Sequence, residues 1–101
     1  MNIEKIISAL NDKDYGYVYN KLDEKFKNNK FNNIDSFKEY MNNVVFDSNK
    51  AEYLNFSEEG NTYIYNIKIK SANEEVNESK SVTIIMKLLE GTDFVMSFNV
   101  E

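Results

Sequence analysis

The apolar residues in the first half of the chain recur every three or four positions, the spacing that places side chains on one face of an α-helix. Three such stripes follow one another, and polar segments separate them. Asn and Asp at the boundaries favour helix caps, because their side-chain oxygens accept hydrogen bonds from free N–H groups at a helix start. The pattern predicts three helices, whose stripes are Ile3, Ile6, Ile7 and Leu10; Tyr15, Val18, Tyr19, Leu22 and Phe26; and Ile34, Phe37, Met41, Val44 and Val45.

Near residues 49–52 the apolar spacing changes to strict alternation, which is typical of β-strands. Turn signals divide this half into four strands, and Gly60 and the segment 90–92 mark two tight turns. The acidic segment 71–79 predicts an exposed hairpin loop. Because tight turns join neighbouring strands, we expect an antiparallel meander with helices on one face. The apolar residues that define the strands are Leu54 and Phe56; Tyr63, Tyr65, Ile67 and Ile69; Val82, Ile84, Met86 and Leu88; and Phe94, Met96, Phe98 and Val100.

Length and composition predict one α+β domain over residues 1–101. A hydrophobic fraction of 42%, with 14% aromatic residues, excludes an intrinsically disordered chain. The net charge is -5, and all 12 basic residues are Lys. Nucleic-acid binders need clustered cations and favour Arg for bidentate phosphate contacts, so we expect no nucleic-acid partner.

The residue types that carry most enzyme chemistry are missing. The chain has no His and no Cys, which excludes an imidazole base, a thiolate nucleophile and a zinc site built from these ligands. With three Gly in total, it has no glycine-rich phosphate loop. The acidic pairs Asp12 with Asp14 and Glu58 with Glu59 do not match a calcium loop, and capping and turn roles account for them. We expect no metal, no cofactor and no catalytic residue.

Alternation along the strands also leaves apolar residues on the face of the sheet opposite the helices. A solvated face carries fewer such residues, and a contiguous apolar patch marks an interaction surface. This face is therefore the candidate interface for a protein partner or a second copy of the chain. Its predicted residues are Ile64, Ile85, Leu89 and Val95.

Four tyrosines form a candidate ligand-binding pocket: Tyr15 and Tyr19 in the second helix, and Tyr63 and Tyr65 in the second strand. Their phenols can donate hydrogen bonds into a shared cavity. The interpretation we favour is that these rings pack in the core with hydroxyls at its rim, because amphipathic rings at such spacings usually do so.

Three segments carry a resemblance to a known family: residues 14–15 (DY), residues 19–23 (YNKLD) and residues 86–98 (MKLLEGTDFVMSF). With the order of helices before a curled sheet, they resemble nuclear-transport-factor-2-like domains of the cystatin-like superfamily. They are most similar to such domains in extracytoplasmic proteins and lipoproteins of Gram-positive bacteria. The resemblance implies a long helix inside a cone formed by a curved four-stranded antiparallel sheet.

That resemblance also implies a location and a set of functions. It implies an exported or membrane-anchored bacterial protein whose anchor lies outside this chain, with a cytoplasmic protein as the alternative. The cone of such domains holds an active site, a ligand or nothing, and isomerase-like members use a carboxylate base with a phenol. Because no His or carboxylate lies at an evident cone-lining strand position, we expect a non-catalytic protein-interaction or assembly module. The alternative is a small-molecule-binding or isomerase-like pocket protein.

Overall fold

A computed structural model describes residues 3–89 and 92–101, with the side chains of residues 88, 89, 92–94 and 96 left undescribed. Helices precede one antiparallel sheet with the strand order β1-β2-β3-β4, so the predicted α+β class and the meander are confirmed. The predicted turn at residues 90–92 includes residues outside the described ones. The elements are α1 (Ile3–Asn11), α2 (Tyr15–Lys21), α3 (Glu24–Lys30), α4 (Ile34–Val44), β1 (Asn49–Glu59), β2 (Thr62–Ser71), β3 (Ser79–Leu89) and β4 (Thr92–Val100).

The prediction of three helices is wrong, because the stripe over residues 15–26 belongs to two helices. Leu22 and Asp23 between them have extended backbones, with ψ of 142° at both. The Asp23 carboxylate accepts hydrogen bonds from the N–H groups of Lys25 and Phe26, which caps α3. The Asp23 N–H donates to the Val95 carbonyl of β4 at 2.8 Å. Helix α2 therefore ends where the chain pairs with β4, and α3 begins directly after that contact.

The other helix starts follow the capping residues that the sequence offers. The Asp14 carboxylate accepts from the Tyr17 N–H at 3.2 Å at the start of α2. The Asn33 side chain accepts from the Ser36 N–H at 2.8 Å at the start of α4. Each bond satisfies an N–H group that has no partner within its helix. The predicted breaks before these two helices are confirmed.

The core lies between the helices and one face of the sheet, here called the inner face. Alternate residues of β2 and β3 supply the sheet side, as the period of two predicts, together with Val95 and Phe98 of β4. Helix residues from α1, α2 and α4 supply the other side. The fully buried side chains in this core include Ile6, Leu10, Val18, Phe37, Met41, Ile67, Ile69, Ile84, Val95 and Phe98.

Val95 is 0% exposed and belongs to this core, so its predicted place on the opposite face is wrong. Val95 pairs with Met86, whereas Ile85 pairs with Ser97, and residue 96 is the extra residue of a bulge. A bulge shifts the alternation by one residue, so a pattern counted through it assigns the wrong face.

The two edges of the sheet differ. Residues of the helical half bond to the β4 edge: besides the Asp23 bond to Val95, the Val100 N–H donates to the Tyr40 hydroxyl at 3.3 Å. On the β1 edge, the Asn11 side chain accepts from the Ala51 N–H at 2.7 Å. From Tyr53 onward β1 is exposed, and it pairs with β2 in a hairpin. Among the described helices, none has the length and apolar character needed to cross a bilayer.

Candidate binding cleft

The structure places the predicted tyrosines at separate points. Tyr15 is 3% exposed, and this burial raises the pKa of its phenol. The hydrogen bond with Asn49 lowers the pKa, but by less than burial raises it. The Tyr19 hydroxyl donates to the Phe31 carbonyl at 3.1 Å, and its ring packs against Phe37. Both hydroxyls therefore have hydrogen-bond partners within the protein.

Asn49 is a buried polar residue that the sequence analysis missed. Its side-chain oxygen accepts from the Phe46 N–H at 3.0 Å. Its amide nitrogen lies 3.3 Å from the Leu10 carbonyl and 3.4 Å from the Tyr15 hydroxyl. The side chain therefore joins the end of α1, the start of α2 and the start of β1. The available signal was its position, an Asn at the point where the apolar spacing changes.

Tyr63 and Tyr65 share the inner face of β2, and Tyr65 lies at the base of an apolar cleft. This cleft, here called the aromatic cleft, opens between α1 and the β1–β2 hairpin and has a volume of about 360 Å³. Of the four predicted tyrosines, Tyr65 alone lines it. The lining residues are Ile3, Glu4, Ile7, Tyr53, Phe56 and Tyr65.

Three aromatic rings form the sheet side of the aromatic cleft. Phe56 stacks on Tyr65 with ring centroids 5.6 Å apart, and Tyr53 lies 6.5 Å from Tyr65 in a tilted arrangement. Tyr65 is buried, whereas Tyr53 and Phe56 are 46% and 49% exposed. The rings thus make a preformed apolar platform, half of which faces solvent.

A bulge in β1 brings these rings together. Tyr53 pairs with Ile67 and Asn55 pairs with Asn66, which leaves Leu54 as the extra residue. Tyr53 and Phe56 therefore share the inner face although three positions separate them. The apolar pattern at residues 53, 54 and 56 breaks strict alternation, and that break was the signal for the bulge.

The helix side of the aromatic cleft combines apolar and acidic groups. Ile3 and Ile7 are partly buried and pack against the core. Glu4, in the first turn of α1, brings a carboxylate to the rim. None of the ion pairs among the described residues includes Glu4. The cleft thus offers aromatic and aliphatic walls with one negative charge.

The face opposite the helices is more polar than the sequence predicted. Ile64 and Ile85 are cross-strand partners there, and their outer neighbours in the register are Ser57 and Ser97. The next row across the sheet is Asn55, Asn66, Thr83 and Asn99. The Asn66 side chain donates to Asn55 at 2.8 Å. The predicted Leu89 contact lies outside the described side chains, so the described part of this interface is one partly buried isoleucine pair.

A larger cleft, of about 430 Å³, lies beside the 71–79 loop and is polar. Lys50, Lys68 and Lys70 line it together with Glu74 and Glu78. This cleft therefore presents charges of both signs, three lysines and two glutamates, around a polar surface.

No protein-family model, curated protein or solved structure matches the chain.

Proposed function

We propose that this chain is a non-catalytic protein-interaction module whose contact surface is the aromatic cleft. One observation carries the proposal: Tyr53 and Phe56 remain 46% and 49% exposed on the inner face, whereas their neighbours Tyr65, Ile67 and Ile69 on the same face are buried. Large aromatic residues in such surfaces are the ones that most often dominate protein binding. The exposed Leu54 beside them, 50% accessible, extends the apolar area.

The proposal keeps the family and the location that the resemblance implies. A nuclear-transport-factor-2-like domain of an extracytoplasmic or membrane-anchored bacterial protein has a sheet whose inner face opens at one end. The helices-then-sheet order and the uncovered end of the β1–β2 hairpin support this assignment. A cytoplasmic location stays the alternative.

Two other versions are compatible with the same surfaces. The aromatic cleft, at about 360 Å³, has the size of a small-molecule site, which supports the ligand-binding alternative. A homodimer through the outer face rests on the Ile64–Ile85 pair. A strict monomer by size-exclusion chromatography with light scattering at high concentration would rule out the homodimer.

Selection of random peptides displayed on phage tests the proposal, with two matched variants as counter-screens. Phe56→Ser removes an exposed ring from the aromatic cleft, and Ile85→Ser makes the corresponding change on the outer face. Peptides selected on the wild-type protein are expected to bind Ile85→Ser equally and to lose about tenfold or more in affinity for Phe56→Ser.

The reverse pattern, with binding lost in Ile85→Ser and kept in Phe56→Ser, places the contact on the outer face and contradicts the proposal. A selection that returns no Phe56-dependent peptide also counts against it. Circular dichroism of both variants checks that each is folded before binding is compared.

A further inference from the structure

Three lysines lie together at one corner of the outer face, the face of the sheet opposite the helices. Lys50 of β1 is the direct partner of Lys70 of β2, and Lys68 lies two positions along β2 on the same face. Like charges directly opposite one another in a sheet are destabilising. The register thus creates a concentration of positive charge in a protein whose net charge is -5.

This positive charge is only partly neutralised within the protein. The Lys70 ammonium lies 3.5 Å from the Glu52 carboxylate. Lys50 and Lys68 take part in no ion pair with another described residue. Two ammonium groups are therefore free to attract an anionic group from outside the molecule.

The 71–79 loop brings two carboxylates, Glu74 and Glu78, to the cleft that the three lysines line. Neither takes part in an ion pair with another described residue. The Glu75 N–H donates to the Asn73 side chain at 3.1 Å, which forms a turn within the loop. The two signs of charge thus come from two elements, the lysines from strands and the glutamates from the loop.

The cleft between these charges, here called the charged cleft, has a volume of about 430 Å³, which lies in the range of small-molecule sites. Ser71, Asn77 and Ser79 add hydroxyl and amide groups to its lining. Such groups donate and accept hydrogen bonds. The lining therefore suits a small polar ligand.

The distribution of charge selects among polar ligands. An ion of one sign is attracted by one side of the charged cleft and repelled by the other, whereas a zwitterion is attracted at both ends. We propose that the charged cleft binds a small zwitterion, with its anionic group at the lysines and its cationic group at Glu74 and Glu78. This inference goes beyond the proposed function and does not depend on the aromatic cleft.

Three probes of matched length test the inference by NMR titration. ε-Aminocaproate carries a carboxylate and an ammonium group, hexanoate lacks the ammonium group, and hexylamine lacks the carboxylate. ε-Aminocaproate is expected to bind about threefold or more tightly than either analogue, with shifts at the amides of Lys70 and Asn77. Phosphocholine, with choline as its singly charged control, forms a second arm. The arm that binds more tightly shows whether the anionic group is a carboxylate or a phosphate.

Glu78→Gln and Glu75→Gln are matched variants, since both remove one negative charge from an exposed glutamate of the same loop and only Glu78 lines the charged cleft. Glu78→Gln is expected to weaken the bound zwitterion about two- to fivefold, and Glu75→Gln by less than about twofold.

Lys68→Gln and Lys87→Gln are the matched pair for the positive side, because both lysines are partly exposed on the outer face and only Lys68 lines the charged cleft. Lys68→Gln is expected to weaken the zwitterion about two- to fivefold, whereas Lys87→Gln leaves it unchanged. Raised salt is expected to weaken binding to the wild-type protein.

Three results would overturn the inference. The first is that neither zwitterion binds more tightly than its singly charged analogues. The second is that Glu78→Gln and Glu75→Gln have the same effect, and the third is that Lys68→Gln and Lys87→Gln have the same effect. Circular dichroism of each variant confirms folding before the titrations are compared.

Discussion

The Asn49 side chain connects the helices to the start of the sheet through hydrogen bonds. It is 7% exposed, and its amide group bonds to Phe46, Leu10 and Tyr15. Asn49→Ala leaves these polar groups buried without that partner, so we expect the free energy of unfolding to fall by about 1–3 kcal/mol. Urea denaturation measures the change. Asn42→Ala, at an exposed position of α4, is the control and is expected to shift stability by about 0.5 kcal/mol or less. Equal stability of the two variants would contradict the role of Asn49.

Tyr15 predicts an alkaline limit on stability. An unfolded phenol ionises near its ordinary pKa of 10.0, whereas burial raises the pKa of the folded Tyr15 above that value. Between the two pKa values the folded state binds more protons than the unfolded state, so stability falls as pH rises through this window. Tyr15→Phe removes this contribution and is expected to lose less stability than the wild type between about pH 9 and about pH 11. Urea denaturation at both pH values measures the difference, and equal losses in the two proteins contradict the argument.

The junction between α2 and α3 depends on the Asp23 cap. Asp23→Ala removes the acceptor for two N–H groups of α3, so we expect a loss of about 0.5–2 kcal/mol in the free energy of unfolding. Asp23→Asn keeps an acceptor oxygen at the cap and is expected to retain most of that stability. Thermal and urea unfolding of both variants measure the effect. If Asn and Ala are equally destabilising, the carboxylate charge rather than capping is what matters.

The elements that local chemistry specifies were predictable from the sequence. Asp14 and Asn33 mark helix starts because their own side chains make the capping bonds, and the alternation in β2 needs no bulge. The break at Leu22 was not predictable, because the apolar stripe continues through it. That break comes from the hydrogen bond of the Asp23 N–H to β4, a partner about seventy residues away in sequence.

At the scale of the whole molecule, the candidate site follows from where the helix layer ends. Period counting predicted an apolar outer face and named four phenols as a candidate pocket, with core packing as the favoured interpretation. The bulges at Leu54 and residue 96 changed which residues share a face. Tyr65 was predicted as a pocket residue and does line the aromatic cleft. Tyr53 and Phe56 line the cleft because of the bulge in β1, and Glu4 lines it because α1 packs along β1. The broken alternation at residues 53, 54 and 56 was a sequence signal for the bulge, whereas the packing of α1 along β1 is not visible in a single sequence.

The same layout predicts uneven stability along the sheet. From Asn55 to Glu59, β1 is exposed, whereas the centre of β2 at Ile67 and Ile69 is fully buried. Backbone hydrogen bonds with little packing around them open locally, while core strands open only with global unfolding. We expect the amides of residues 55–59 that bond to β2 to exchange with deuterium about tenfold or more faster than those of residues 67–69. Native-state hydrogen exchange by NMR measures both sets in one experiment, so no separate control protein is needed. Uniform protection along the whole β1–β2 hairpin would contradict this prediction, because its end would then be as stable as the core. The aromatic cleft would in that case lie on a rigid surface and not on a segment that opens locally.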